Sequence, residues 1–208
     1  MLKPIVWSCR LQARLILAAV LAPFFANASV EVGKAAPNFS VTDAQGKSRS
    51  LSEFKGKTVV LEWNNPECPF VKKHYNGSTN MQTQQKAATA NGVVWLSINS
   101  GAPGKQGAMD GSAAIAKIAA LQAAPNAYLL DSDGKVGQAY GATTTPHMYV
   151  IDGGGVLRYA GAIDSVPSAD ASDIPGATQY VSQALAELQA GKPVSVAVTK
   201  SYGCSVKY

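Results

Sequence analysis

Long apolar runs alternate with helix-forming segments along most of the chain. We predict buried strands at 58–63, 93–98 and 148–151. We predict helices at 69–74, 80–91, 113–123, 135–140 and 179–190. A glycine hairpin at 153–155 follows the last of these strands. This alternation, with its terminal hairpin, predicts one α/β domain with a central mixed sheet flanked by helices.

Short segments precede the first buried strand and follow the last helix of the predicted domain. Before the first buried strand, a short hairpin is expected to turn at residues 44–46, and a helical turn is expected after it. After the last helix, Val194, Val196 and Val198 alternate with polar or small residues, which is the pattern of an edge strand. The sequence thus predicts an N-terminal hairpin extension and a C-terminal tail.

Cys68 lies at the start of a predicted helix, directly after a polar turn that ends the first buried strand. Pro69 suits the first helical position because the N–H that proline lacks has no partner there. Cys68 is therefore expected to cap the helix, with its sulfur facing the unpaired N–H groups of Phe70 and Val71. Such surroundings favour the thiolate, which is the nucleophilic form of cysteine. The alternative is an inert buried thiol.

Glu62 interrupts the apolar run 58–63. Its neighbours Val60, Leu61 and Trp63 indicate a strand that is buried on both faces. We expect burial to favour the protonated acid and to make Glu62 a proton carrier for Cys68. The alternative is a Glu62 that points to solvent.

Residues 1–28 have the pattern of a cleavable secretory signal peptide. Three basic residues precede the uncharged run 15–25, and Ala26-Asn27-Ala28 offers a small-residue cleavage site. The run is too short to span a bilayer stably, so the mature protein is not expected to cross the membrane. We expect periplasmic residence, a domain at 29–191 and a tail at 192–208.

The charge balance argues against nucleic acid as a partner. The formal net charge is +5, and the leader carries three of those charges, which leaves +2 after cleavage. The chain shows no arginine-rich or aromatic-basic stripe.

Export also sets the redox environment of the cysteines. The mature chain contains two, Cys68 and Cys204, in a compartment that permits disulfides. They allow one internal pairing, which is either catalytic or purely structural, and the alternative is two separate free thiols.

The strand, polar turn and Cys-Pro helix start resemble the active-site turn of the thioredoxin superfamily. The opening Gly33-Lys34-Ala35-Ala36-Pro37-Asn38-Phe39 resembles that of the redoxin group, which comprises the alkyl hydroperoxide reductase and thiol-specific antioxidant type. More narrowly, the turn Glu62 to Val71 and the ending Gly203-Cys204-Ser205-Val206-Lys207 resemble peroxiredoxin-like bacterial proteins. The resemblance implies a thioredoxin-like fold and thiol-dependent redox chemistry without a cofactor.

The resemblance also implies roles for individual residues. Cys68 matches the first, attacking cysteine of the superfamily, whereas Val71 stands where the second should be. Cys204 is then expected to be the resolving thiol, since it is the other cysteine of the mature chain. Thr145-Pro146 matches the position of the cis-proline that faces the attacking cysteine. We expect substrate contacts from Thr145, Pro146, Pro69 and Trp63, with a protein or small-molecule thiol or disulfide as substrate and a periplasmic or membrane thiol donor.

Three other functions are weighed against this one. A thiol peroxidase would have threonine and proline where Asn65 and Leu61 stand, which argues against peroxide reduction. A copper or zinc site would use Cys68 with His74 and His147, which are soft and imidazole ligands but weak candidates by spacing. A redox-inactive interaction module would have no use for a cysteine at a helix cap.

Overall fold

The computed structural model of the protein describes Met1 and residues 30–208. The predicted signal peptide and its cleavage site lie outside the described residues. The strands are β1 (Ser40–Thr42), β2 (Ser48–Ser50), β3 (Val59–Trp63), β4 (Val94–Asn99), β5 (Ala127–Leu130), β6 (Thr144–Thr145), β7 (His147–Ile151), β8 (Leu157–Gly161) and β9 (Cys204–Ser205). The α-helices are α1 (Pro69–Tyr75), α2 (Asn80–Ala90), α3 (Gly111–Ala120), α4 (Lys135–Tyr140) and α5 (Tyr180–Gln189).

A five-stranded mixed sheet in the order β5-β4-β3-β7-β8 forms the centre of the molecule. The pairs β3–β4 and β4–β5 are parallel, whereas β3–β7 and β7–β8 are antiparallel. Every residue of β3, β4 and β7 is buried, as their apolar runs predict. The predicted α/β fold with a central mixed sheet is confirmed.

Alternate residues of the sheet enter two separate apolar cores. Leu61 and Trp63 of β3 pack on the side of Phe39 and Tyr140. Val60 packs on the other side, with apolar residues of α1, α2 and α5. Because side chains of a strand alternate between faces, Glu62 shares the face of Val60 and points towards those three helices.

Two small sheets flank the central one. The strands β1 and β2 form the expected hairpin, and its 3-10 turn begins at Leu51. The tail does not form the edge strand that its alternating valines predict. It makes a single parallel bridge, between Ala160 and Val198, and then pairs as β9 with β6.

Within the described part of the chain, no helix has both the length and the apolar character that crossing a membrane requires.

Candidate active site

Cys68 lies where β3 delivers the chain to α1. The backbone N–H of Cys68 donates to the Asn65 carbonyl at 3.0 Å, which closes the turn after β3. Cys68 is the residue before the first helical position, and Pro69 occupies that position. Its side chain is buried, with a residue exposure of 0%. Cys68 thus occupies the expected capping position, but its sulfur forms no side-chain capping hydrogen bond and donates instead to the Thr145 carbonyl.

The Thr145-Pro146 peptide lies directly beside this cysteine and is cis. The pairing of β3 with β7 sets Trp63 opposite His147, so the residues just before β7 come close to the turn after β3. The Sγ atom of Cys68 donates to the carbonyl oxygen of Thr145 at 3.1 Å. The sheet register therefore brings residues 68 and 145 together although they are far apart in sequence.

The second cysteine reaches the same place through β9. Cys204 pairs with Thr145 and Ser205 pairs with Thr144 in an antiparallel ladder. Gly203 makes this approach possible, since a Cβ atom there would lie 2.1 Å from the Thr145 carbonyl oxygen. Both cysteines are free, and both meet at Thr145, which pairs with Cys204 and accepts the hydrogen bond from Cys68. Cys204 is half-buried, in contrast to Cys68.

The two thiols differ in acidity. Burial raises the pKa of Cys68, but the Cys204 thiol, the Thr145 side chain and the backbone of Cys204 and Val71 stabilise the thiolate and bring the pKa below its ordinary value. Burial and the hydrogen bond with Cys68 raise the pKa of Cys204 to about 11. Of the pair, Cys68 is therefore the one that ionises first.

Glu62 is fully buried, so the alternative in which it points to solvent is wrong. Its carboxylate accepts hydrogen bonds from five side chains at 2.7–3.2 Å, namely those of Asn64, Tyr75, Gln85, Trp95 and Ser97. Tyr75 belongs to α1, so Glu62 ties the helix that follows Cys68 to the sheet. Among residues 30–208, no hydrogen bond joins Glu62 to Cys68 directly.

A buried polar cluster that the sequence did not reveal anchors the tail next to Cys204. Asp164 lies 3.2 Å from the ammonium group of Lys73, and both side chains are fully buried. The hydroxyl of Tyr202 donates to Asp164, and the Lys73 ammonium lies 5.7 Å from the centre of the Tyr202 ring. Phe70 of α1 packs edge-on against the same ring. Tyr202 thus links the tail to α1, two residues before Cys204.

The residues expected to contact the substrate differ in how exposed they are. Pro69 is exposed, whereas Thr145 and Pro146 are covered by the tail at Gly203. Trp63 has an exposure of 0%, and its indole N–H donates to Ser100 at 3.0 Å. Because Trp63 is a core residue between Tyr140 and Tyr149, it offers no surface to a substrate, and the expected substrate contact at Trp63 is wrong.

The two histidines do not converge on Cys68. His74 accepts from or donates to Asn80 at 2.9 Å and lies 3.8 Å from Asp164. His147 stacks on Tyr149 and lies within 3.4 Å of the Thr143 N–H. In the part of the chain that the structure describes, no three His, Cys, Asp or Glu side chains are grouped to hold a metal ion. The metal candidates therefore gain no support.

Comparison with known proteins identifies the family. Residues 32–160, more than half of the chain, match the AhpC/TSA family model. The chain belongs to the AhpC/TSA family. Among curated relatives, the thiol-disulfide oxidoreductase ResA of Bacillus thuringiensis subsp. konkukian is 32% identical over 124 residues, which cover 52% of this chain and 69% of that protein.

Solved structures agree with this fold. An uncharacterized conserved protein from Geobacillus kaustophilus is 26% identical, with a TM-score of 0.70, over 86% of this chain and 92% of that one. A putative thiol:disulfide interchange protein DsbE from Chlorobium tepidum is 22% identical, with a TM-score of 0.52, over 64% and 85% of the two chains. At that identity the second likeness shows the fold alone. The predicted redoxin membership and thioredoxin-like fold are confirmed.

Proposed function

We propose that this protein is an exported thiol–disulfide oxidoreductase in which Cys68 is the nucleophile and Cys204 is the resolving thiol. The observation that carries the proposal is the meeting of these two free cysteines at Thr145, which accepts a hydrogen bond from the Cys68 Sγ atom at 3.1 Å and pairs with Cys204 in the β6–β9 ladder. Membership of the AhpC/TSA family and the similarity to ResA support the reaction class.

The proposed cycle begins with the Cys68 thiolate. It attacks one sulfur of a protein or small-molecule disulfide, forms a mixed disulfide and releases the other sulfur as a thiolate. Cys204 then loses its proton to solvent, and its thiolate attacks the Cys68 sulfur, which breaks the mixed disulfide and releases the second substrate sulfur as a thiolate. The product is a Cys68–Cys204 disulfide and a reduced substrate, and a periplasmic or membrane thiol donor returns the protein to the dithiol.

The tail controls access in this proposal. Cys68 is buried, and β9 occupies the backbone edge of Thr145, so a substrate reaches the sulfur only after β9 separates from β6. Thr145, Pro146 and the exposed Pro69 then form the surface that receives the substrate. Glu62 retains its proposed role as a proton carrier for the site, and its hydrogen bond from the Tyr75 hydroxyl links it to the helix that follows Cys68.

Turnover of a disulfide-containing peptide by cysteine variants tests the cycle. We expect Cys68→Ser to abolish turnover and Cys204→Ser to slow it while a mixed disulfide accumulates on Cys68. Ser205→Ala is the matched control, because it alters the exposed neighbour of Cys204 in the same strand. A Cys204→Ser protein that turns over as fast as the parent would contradict the resolving role.

Export is tested separately. The leader at 1–28 supports secretion with cleavage after Ala28. Amino-terminal sequencing of the protein recovered from the periplasm should begin at Ser29, whereas a chain that still begins at Met1 would contradict the proposal.

A further inference from the structure

The two cysteines of the proposed redox pair are not equally open to solvent. Cys68 has an exposure of 0% and packs within the core formed with Val71 and Met148. Cys204 packs against the edge of that core and is half-buried, and the next residue, Ser205, is exposed. An external molecule therefore meets Cys204 before it meets Cys68.

The tail that covers Cys68 is held on both sides of Cys204. On one side, Tyr202 donates to Asp164 and packs on Phe70. On the other side, the Val206 N–H donates to the Thr143 carbonyl at 3.1 Å, and the Tyr208 hydroxyl donates to the Ala142 carbonyl at 2.7 Å. Uncovering Cys68 requires these contacts to break, whereas reaching Cys204 does not.

The return half of the proposed cycle follows from this asymmetry. Resting on the proposed function, we infer that an external donor thiol reduces the oxidised protein by attacking Cys204 and not Cys68. The donor thiolate forms a bond to the Cys204 sulfur, the Cys68–Cys204 bond breaks, and its electron pair leaves on Cys68 as a thiolate. A second donor thiolate attacks the donor sulfur of the mixed disulfide, which releases the oxidised donor and the Cys204 thiolate. Two electrons pass from two donor thiols to the protein.

The charges and thiol pKa values of the site also favour attack at Cys204 with Cys68 as the leaving group. The lower-pKa thiol is the better leaving group in thiol–disulfide exchange, and Cys68 is the more acidic member of the pair. Lys207 lies close enough to lower the pKa of Cys204, and its ammonium group lies 3.1 Å from the Ser205 hydroxyl. This positive charge is available to an approaching donor thiolate at Cys204.

Mapping the first adduct on the oxidised wild-type mature protein tests the inference. The Cys68–Cys204 disulfide form is mixed with less than one equivalent of 2-mercaptoethanesulfonate, quenched in acid at short times and alkylated with N-ethylmaleimide. Peptide mass mapping then locates the two labels. We expect the donor on Cys204 and the maleimide on Cys68, with an excess of about tenfold or more over the reverse pattern.

The other outcomes separate the inference from the function on which it rests. Equal labelling, or more donor on Cys68, would overturn the order of attack while leaving the Cys68–Cys204 cycle in place. Failure to obtain the Cys68–Cys204 disulfide under mild oxidant would overturn both.

Discussion

At the scale of single residues, the proposed chemistry depends on how the neighbours of Cys68 change the pKa of its thiol. Burial opposes the thiolate, and the donors from Cys204, Thr145 and Val71 outweigh it. We expect Cys68 to titrate below the ordinary thiol value of ~8.5 and Cys204→Ala to raise that pKa, since the variant removes one donor.

The thiolate absorbance near 240 nm, followed against pH, measures the pKa of Cys68 in the parent and in Cys204→Ala. Cys68→Ser is the control, because the remaining Cys204 should titrate only in the alkaline range. A Cys68 midpoint at or above the free value would mean that burial prevails, and the proposed nucleophile would lose its activation.

Glu62 gives a second prediction. In the parent, the carboxylate oxygens of Glu62 accept hydrogen bonds from donors such as the Tyr75 hydroxyl and the Trp95 indole N–H. In Glu62→Gln, an amide NH₂ group replaces one of these oxygens and leaves its donors without an acceptor, so we expect a loss of about 2–3 kcal/mol in the free energy of unfolding. If Glu62 also carries protons for Cys68, disulfide exchange near neutral pH should slow. Urea unfolding and exchange rates measure the two effects independently.

Tyr75→Phe is the matched control for Glu62, because it removes one hydroxyl donor and keeps the carboxylate. It should lower stability without the same loss of exchange rate. Exchange that is equally slow in both variants would show that Glu62 acts through structure alone.

Single residues differ in how far the sequence reveals them. The Cys-Pro pair predicts the cap at Cys68, and the apolar neighbours of Glu62 predict its burial, because both signals are local. Lys73, Asp164 and Tyr202 form a cluster from three distant parts of the chain, since Asp164 and Tyr202 are 38 residues apart and Lys73 lies on a much earlier helix. Each of the three lies in a segment that has the polar character of a surface. No local pattern predicts such a cluster.

At the scale of elements, the short pairing of β6 with β9 places Cys204 beside Cys68. Gly203 adopts a φ of +126°, and its backbone passes so close to Thr145 that a side chain would collide with the carbonyl oxygen. We expect Gly203→Ala to displace β9 and to slow formation of the Cys68–Cys204 disulfide strongly.

Gly92→Ala controls for the strain of a positive φ. Gly92 has a φ of +78°, but no heavy atom lies within 4 Å of the position a Cβ would take. Timed oxidation followed by alkylation compares the two variants. Equal oxidation rates would show that the close approach at Gly203 does not matter for the pair.

Long and short strands differ in how well the sequence predicts them. The apolar runs predict β3, β4 and β7 because each strand is buried on both faces. The two-residue strands β6 and β9 carry no such pattern, and Thr145 and Cys204 are 59 residues apart. The alternating valines of the tail suggest an edge strand, but only Val198 bridges to the sheet.

At the scale of the whole molecule, two buried histidines link stability to pH. Burial is the main cause that lowers the pKa of His74 and of His147 to about 4, from 6.5. The unfolded chain therefore binds more protons than the folded protein between about pH 4 and 6.5. Stability should be at its full value above pH 6.5 and fall as the pH drops towards 4, by up to about 3 kcal/mol per histidine.

Urea unfolding at several pH values, compared with His147→Phe, checks this dependence. The variant keeps a ring to stack on Tyr149 and removes one titrating group, so its stability should fall less steeply below pH 6.5. A slope identical to that of the parent would contradict the assignment for His147.

Oxidation of the purified mature protein, followed by mass mapping, tests the central claim most directly. The protein is treated with mild oxidant, free thiols are alkylated, and the peptides containing Cys68 and Cys204 are identified before and after reduction. The account predicts a cross-linked Cys68–Cys204 peptide that reduction separates, with a midpoint potential above the roughly −300 mV typical of structural disulfides. Recovery of both cysteines as separately alkylated thiols would contradict it.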